Sequence, residues 1–425
     1  MSRGFYVIMA AQFFSSLADN ALLVAAIAVL MQANAPSWLT PYLKFFFVVS
    51  YVVLAPYVGA FADRLPKGQV MFISNAIKIA GCALMLFHVN PLLAYGLVGL
   101  GAAAYSPAKY GILTEYLPPT KLVVANGWME GLTVTSIILG TMLGGVLISR
   151  QVAGRLLAID VPLIDTGMDT PAGAAISVII AIYAVAAIFN LYVPRTGARL
   201  RHLHPHPLAT LADFYLCSLR LWKDKLGQIS LAVTTLFWGV GATLQFIVIV
   251  WAKEALGFDL SKAAILQGVV ALGIALGAVA ASMRVPLHRS VRVIPLGIAM
   301  GLVVITMVAA RSVWIAVPLL IVIGALAGFF VVPMNALLQH RGHNLMGAGR
   351  SIAVQNFNEN ASVLVMIALY SLLLEAGLSI YTVIVLFGLF VAGTMALVQR
   401  WYLRNLRVHH AEMEALLKIA RAEHT

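Results

Sequence analysis

Twelve apolar runs, each long enough to cross a hydrocarbon core of ~30 Å, leave this chain few folds to choose from. They lie near residues 5–33, 42–62, 69–89, 92–115, 122–149, 172–193, 228–252, 263–283, 293–310, 313–338, 349–375 and 379–402. The runs are long and lack period-2 alternation, so helices rather than strands are expected. Hydrophobic residues make up 61% of the chain and charged residues 10%, whereas an ordinary soluble domain is roughly a quarter charged. One soluble core could not hide that much apolar surface, and an all-α polytopic membrane protein is the expectation. The first run has Asp19 and Asn20 in its middle and is too long for a signal peptide, so it reads as a transmembrane helix. Cys82 and Cys217 lie far apart, with no paired-cysteine metal spacing, so neither a structural disulfide nor a metal site is expected.

The net charge of +12 would suggest nucleic acid in a soluble protein. Here the basic residues sort by loop. With the N-terminus placed in the cytoplasm, 20 Lys and Arg fall on the cytoplasmic side and 6 on the other, with Lys78 and Lys109 inside runs. The positive-inside rule then puts both termini in the cytoplasm. The longest polar interruption follows the sixth run and is basic. The expected organisation is a six-helix bundle over 1–194, a cytoplasmic linker over 195–227, a second six-helix bundle over 228–403 and a cytoplasmic tail over 404–425. The alternation His202, His204, His206 in the linker binds a metal or is simply solvated; interleaved prolines and the lack of an acidic or cysteine partner argue for the latter. The outer excursion carrying Asp160, Asp165 and Asp169 reads as a loop without assigned chemistry. In the tail, Met413, Leu416, Leu417, Ile419 and Ala420 either lie on the membrane surface or belong to a solvated helix.

A charge at mid-membrane costs about 2.5–3.5 kcal/mol on insertion scales, so each one in the runs calls for a reason. Gln12, Ser15, Ser16 and Asp19 fall at helical spacing, with Asn20 beside them. This stripe faces a polar cavity, or else Asp19 is satisfied inside the bundle. A second stretch, YSPAKYGILTEYLPPTKLVVANGWMEG (105–131), carries Lys109, Asn126 and Glu130 across a turn between two runs. A related pattern returns at VPMNALLQHRGHNLMGAGRSIAVQNFNEN (332–360), so two similar halves are expected. Lys109 snorkels to the interface or binds a phosphate. Asn126 and Glu130 share a helix face, as do Gln355 with Glu359 and Asn356 with Asn360; these faces are the halves' mutual interface or a cavity wall. Lys78, alone in the third run, has an acid as its simplest partner. Matching the seventh run to the first brings Gln245 within two residues of the Asp19 position.

Soluble-enzyme signatures are missing. There is no GxxxxGK[ST] loop for ATP and no HExxH. No His is followed five positions later by Asp, the pattern of glycerolipid acyltransferases. No catalytic site and no cofactor are expected.

Twelve helices as two sixes joined by a basic loop resemble the major facilitator superfamily, whose halves are repeats about an axis along the membrane normal with the substrate site between them. GAFADRLPKGQ, with Gly59, Asp63, Arg64 and Lys67, is similar to that superfamily's cytoplasmic loop motif, which implies a conformational latch; a plain positive-inside loop is the simpler reading. QFFSSLADNALL (12–23), SPAKYGIL (106–113), KLVVANGWMEG (121–131), FFVVPMNALLQHRG (329–342) and AVQNFNENAS (353–362) narrow the resemblance to the bacterial lysophospholipid transporter family. That resemblance implies movement of lysophosphatidylethanolamine and lysophosphatidylglycerol from the outer to the inner leaflet of the cytoplasmic membrane by alternating access. It also implies a functional link to an inner-side acyltransferase–acyl carrier protein synthetase. Asp19 and Lys109 then match headgroup positions, with Gln12, Asn20, Asn126, Glu130, Gln245, Gln355, Asn356 and Glu359 as further candidates. Gln245 departs from the Arg of better-known members, which leaves Lys109 as the expected phosphate contact. The alternative is a proton-coupled efflux carrier for amphipathic drugs, with Asp19 or Glu130 as proton site. A third class, a non-transporting membrane scaffold, has no use for a polar mid-membrane stripe.

Overall fold

The computed structural model describes residues 2–35, 40–158, 170–200, 206–258 and 260–421. Asp160, Asp165, Asp169, His202 and His204 lie outside the described residues. Among those described, every regular element is a helix, the arrangement in which a lipid-embedded backbone satisfies its own polar groups.

The helices are α1 (Arg3–Gln32), α2 (Thr40–Val53), α3 (Ala55–Arg64), α4 (Lys67–Leu86), α5 (Pro91–Tyr116), α6 (Pro119–Ile148), α7 (Arg150–Leu157) and α8 (Pro171–Leu191). They continue with α9 (Pro207–Lys223), α10 (Gly227–Leu256), α11 (Leu260–Arg284), α12 (Ile294–Ile305), α13 (Val313–Met346), α14 (Ala348–Glu375), α15 (Ile380–Val408) and α16 (His410–Arg421). All twelve apolar runs are recovered. Among the described residues, ten helical segments are long and apolar enough to cross a membrane, or 11 if α2 and α3, bent by 64° about Leu54, count as one span. The remaining run, α5, has 26 residues, ample for ~30 Å. Its glycines, tyrosines and Lys109 dilute its apolarity. Trp314, Met283 and many other large apolar side chains are exposed, as a lipid-facing surface requires.

Two compact units emerge from the backbone contacts. The first is Met1–Glu115, Thr135–Phe214 and Ala348–Ala353. In it α8 packs on both α1 and α4. One apolar cluster gathers Ala18, Leu22, Cys82, Val98, Ile179 and Tyr183. Another gathers Ala11, Ala62, Val70, Met71, Tyr105 and Ala108. The second unit is Tyr116–Val134, Tyr215–Gly347 and Val354–Thr425. In it α11 packs closely on α13. Gly273 and Gly277 on one helix meet Gly324 and Gly328 on the other, and a Cβ at any of the four would collide with facing backbone. Small residues four apart are how helices approach closely in lipid, where no hydrophobic force draws them together.

The linker is more structured than the sequence suggests, and the expected tail helix is docked on protein. The linker contains α9, and His206 Nδ1 accepts from the backbone N–H of Leu208 at its start. The tail forms α16, which packs on α15 and on the turn Leu287–Val293. Met413 and Ala420 are buried there, so part of the tail's apolar stripe lies against protein rather than on a membrane surface or in water.

Candidate functional site

Asp19 occupies the middle of α1, where its carboxylate would be costly without partners. Lys78 Nζ on α4 lies 2.9 Å away, and the Tyr183 hydroxyl on α8 donates to Oδ1 at 2.6 Å. Lys78 also donates to Ser15 Oγ at 3.0 Å, and Ser15 donates to Asn75 Oδ1 at 2.8 Å. The Lys78 ammonium stands 4.9 Å from the Tyr105 ring centroid and 5.4 Å from that of Tyr183, a placement that favours a cation. Room for its stem comes from Gly101 on α5, where a Cβ would sit 2.7 Å from Lys78 Cγ. Lys78 is 1% exposed whereas Asp19 is 23% exposed. The pair therefore has a closed cationic back and a partly accessible anionic face.

The rest of the stripe divides. Gln12 is buried, and Asn20 turns its amide onto the Ser16 carbonyl of its own helix at 2.8 Å. Lys78, expected from sequence only to pair with an acid and not counted among the binding residues, is the partner of Asp19. Lys109 is half-buried near the end of α5 with its ammonium 4.4 Å from the Tyr110 ring centroid.

In the second unit, Asn126 on α6 and Gln339 on α13 exchange two amide hydrogen bonds, each 3.0 Å. Asn126 is wholly buried. Gln355 Nε2 donates to Asn335 Oδ1 at 2.8 Å and to Glu359 Oε1 at 2.7 Å. Glu359 also meets Thr234 and feels the charge of Glu130, and Glu130, Glu359 and Asn356 are all buried. This set brings Glu130, Gln355 and Glu359 together around α14. Gln245 is exposed, and its backbone carbonyl accepts from Gln267 Nε2 at 2.9 Å.

The loop motif assembles a charge network within the first unit. Asp63 accepts from the backbone N–H groups of Gly349 at 2.7 Å and Arg350 at 3.0 Å. These are donors that the start of α14 cannot satisfy itself. Lys67 lies 3.1 Å from both Asp63 and Glu115, and Arg350 lies 3.4 Å from Asp63 and 2.6 Å from Asp213 on α9. Gly59 permits this approach, since a Cβ there would stand 2.6 Å from Ala353 Cβ. Arg64 is exposed and makes no ion pair in this network. Glu115 and Asp213 escaped sequence reading because neither lies inside the motif. The second unit has its own buried pair, in which Arg341 meets Asp224 at 2.6 Å.

The sequence matches the family model described as Major Facilitator Superfamily over residues 8–363. It is 43% identical over 381 residues to the "Lysophospholipid transporter LplT" of Yersinia enterocolitica, covering 89% of each chain. It is also 43% identical over 384 residues to the protein of that name in Yersinia pestis, covering 90% of each. Among solved structures, the E. coli fucose:proton symporter FucP aligns with a TM-score of 0.70 at 13% identity, over 94% of this chain and 98% of that one. The human organic anion transporter MFSD10 aligns with a TM-score of 0.65 at 14% identity, over 99% of this chain and 100% of that one. Likeness at such low identity speaks for the fold alone. This chain belongs to the major facilitator superfamily and, within it, to the LplT family of lysophospholipid transporters.

Proposed function

We propose that this protein carries lysophospholipids, lysophosphatidylethanolamine and lysophosphatidylglycerol, from the outer to the inner leaflet of a bacterial cytoplasmic membrane. Both termini lie in the cytoplasm, and transport proceeds by alternating access of the two six-helix halves. The observation that carries this reading is the partly accessible carboxylate of Asp19, backed by Lys78, in the middle of a membrane-spanning helix. A glycerophosphate headgroup cannot cross hydrocarbon unaided and needs polar partners at mid-depth. A single acyl chain can remain against apolar helix faces throughout. Asp19 accepts from headgroup donors, and Lys109 is the phosphate contact. Glu130, Gln355, Asn356 and Glu359 are further headgroup candidates, as are Gln12 and Asn20. The product serves an inner-side acyltransferase–acyl carrier protein synthetase that restores the second chain.

Asp63, Lys67 and Gly59 act as the latch in this cycle. A carboxylate on the first turn of α14 is favoured by the helix dipole as well as by its hydrogen bonds, and opening the latch exchanges those bonds for water. The whole reading is tested by reconstituting the purified protein in liposomes and following labelled lysophosphatidylethanolamine from one leaflet to the other. Protein-dependent movement supports it, and none above protein-free liposomes contradicts it.

A further inference from the structure

Lys78 has no route to a substrate of its own. Its side chain is 1% exposed, and its ammonium is enclosed by Ser15, Asp19 and the rings of Tyr105 and Tyr183. Asp19 is different: two of its acceptor positions are taken, by Lys78 and Tyr183. An ionised carboxylate offers about four. The remaining ones belong to the accessible part of the side chain. A group arriving there meets a carboxylate whose charge is balanced 2.9 Å behind it.

We propose that Lys78 is a positioning residue that sets headgroup selectivity, by holding the Asp19 carboxylate in place and cancelling its charge. This inference rests on the reading of Asp19 as a headgroup contact. Both expected substrates carry a phosphate of charge −1. One adds an ammonium and is zwitterionic; the other adds only glycerol hydroxyls and stays anionic. The balanced pair accepts hydrogen bonds from ammonium or hydroxyl alike and repels neither phosphate. A lone Asp19 attracts the ammonium and repels the phosphate, so the anionic lipid is penalised and the zwitterionic one is not. A lone Lys78 reverses the preference. At about 12 Å and an effective dielectric near 20, one unbalanced charge amounts to roughly tenfold in relative rate, and to more at closer approach.

The test measures transport of the two lysolipids, matched in acyl chain, by the purified full-length protein in liposomes. The variants are Lys78→Met, Asp19→Asn and Asp19→Asn/Lys78→Met. Lys78→Met is expected to raise the ratio of zwitterionic to anionic transport about tenfold, and Asp19→Asn to lower it about tenfold. The double variant should return to within about threefold of the wild-type ratio. A purely structural role would change total rate and melting temperature and leave the ratio alone. If Lys78→Met does not fold, the opposite shift in Asp19→Asn and the return in the double variant still decide the matter. A ratio unchanged in every variant that folds, or shifts of the other sign, overturns the proposal. Failure of the wild-type protein to move either lipid instead contradicts the transport function on which it rests.

Discussion

Asp63 caps a helix that begins far along the chain: its Oδ1 accepts from the backbone N–H of Gly349 at 2.7 Å, across 286 residues of sequence. A carboxylate in that place also neutralises Lys67 and meets Arg350. Removing it leaves two buried cations with fewer acceptors and the helix end without its cap.

Asp63→Ala is therefore expected to lower stability by about 3–5 kcal/mol, the range for breaking a buried pair from one side. Arg64→Ala, one residue along and exposed, should stay within about 0.5 kcal/mol of wild type. Thermal melts in detergent separate the two. Equal melting temperatures would remove the network from the account.

The contact between Gly59 and Ala353 makes a steric prediction. Gly59→Ala places a methyl group 2.6 Å from Ala353 Cβ, and overpacking of this kind costs about 1–3 kcal/mol. Ala353→Gly in the same chain should recover at least half of any lost melting temperature. No recovery would mean that backbone neighbours, such as the Gly349 carbonyl, set the limit.

The reciprocal amides of Asn126 and Gln339 form a unit. Either single change to Ala leaves a buried amide with lost partners, at about 1–3 kcal/mol, whereas losing both together costs less than the sum. A double-mutant cycle on melting temperature should show coupling of about 1 kcal/mol or more. Additive losses would show that the amides do not depend on each other.

The docked tail helix is checked by Met413→Asp. A charge replacing a fully buried methionine should release α16 and raise its amide hydrogen exchange at least tenfold, with exchange in α10 to α13 unchanged. Unchanged exchange in α16 would mean that Met413 does not hold it.

The limits of most of the twelve runs were legible to within a few residues, because the length of hydrocarbon to be crossed sets a minimum helix length; α13 continues past its expected end near 338 to Met346. The polar residues were legible as exceptions, and Asp19, Glu130 and Glu359 stood out for that reason. Their partners were harder to see. Lys78 meets Asp19 across 59 residues, and nothing in the spacing of either helix encodes that pairing. Asn126 and Glu130 share a helix face, yet Asn126 is committed to an amide pair with α13 while Glu130 joins the polar set of Glu359. Periodicity gives the face of a residue; which neighbour it meets depends on how helices rotate and approach, through contacts such as Gly101 beneath Lys78. Asp213 and Asp224 lay in stretches read as linker, where a carboxylate is ordinarily solvated.

The central claim is that this protein moves lysophospholipids by way of Asp19. Its most direct test is transport of labelled lysophosphatidylethanolamine by the purified protein in liposomes, wild type against Asp19→Asn, with folding verified by melting temperature. The account predicts movement by the wild-type protein and at least a tenfold loss in the variant, the loss of one charged hydrogen-bond acceptor being about 1.5–3 kcal/mol. Equal transport by the two proteins would contradict it.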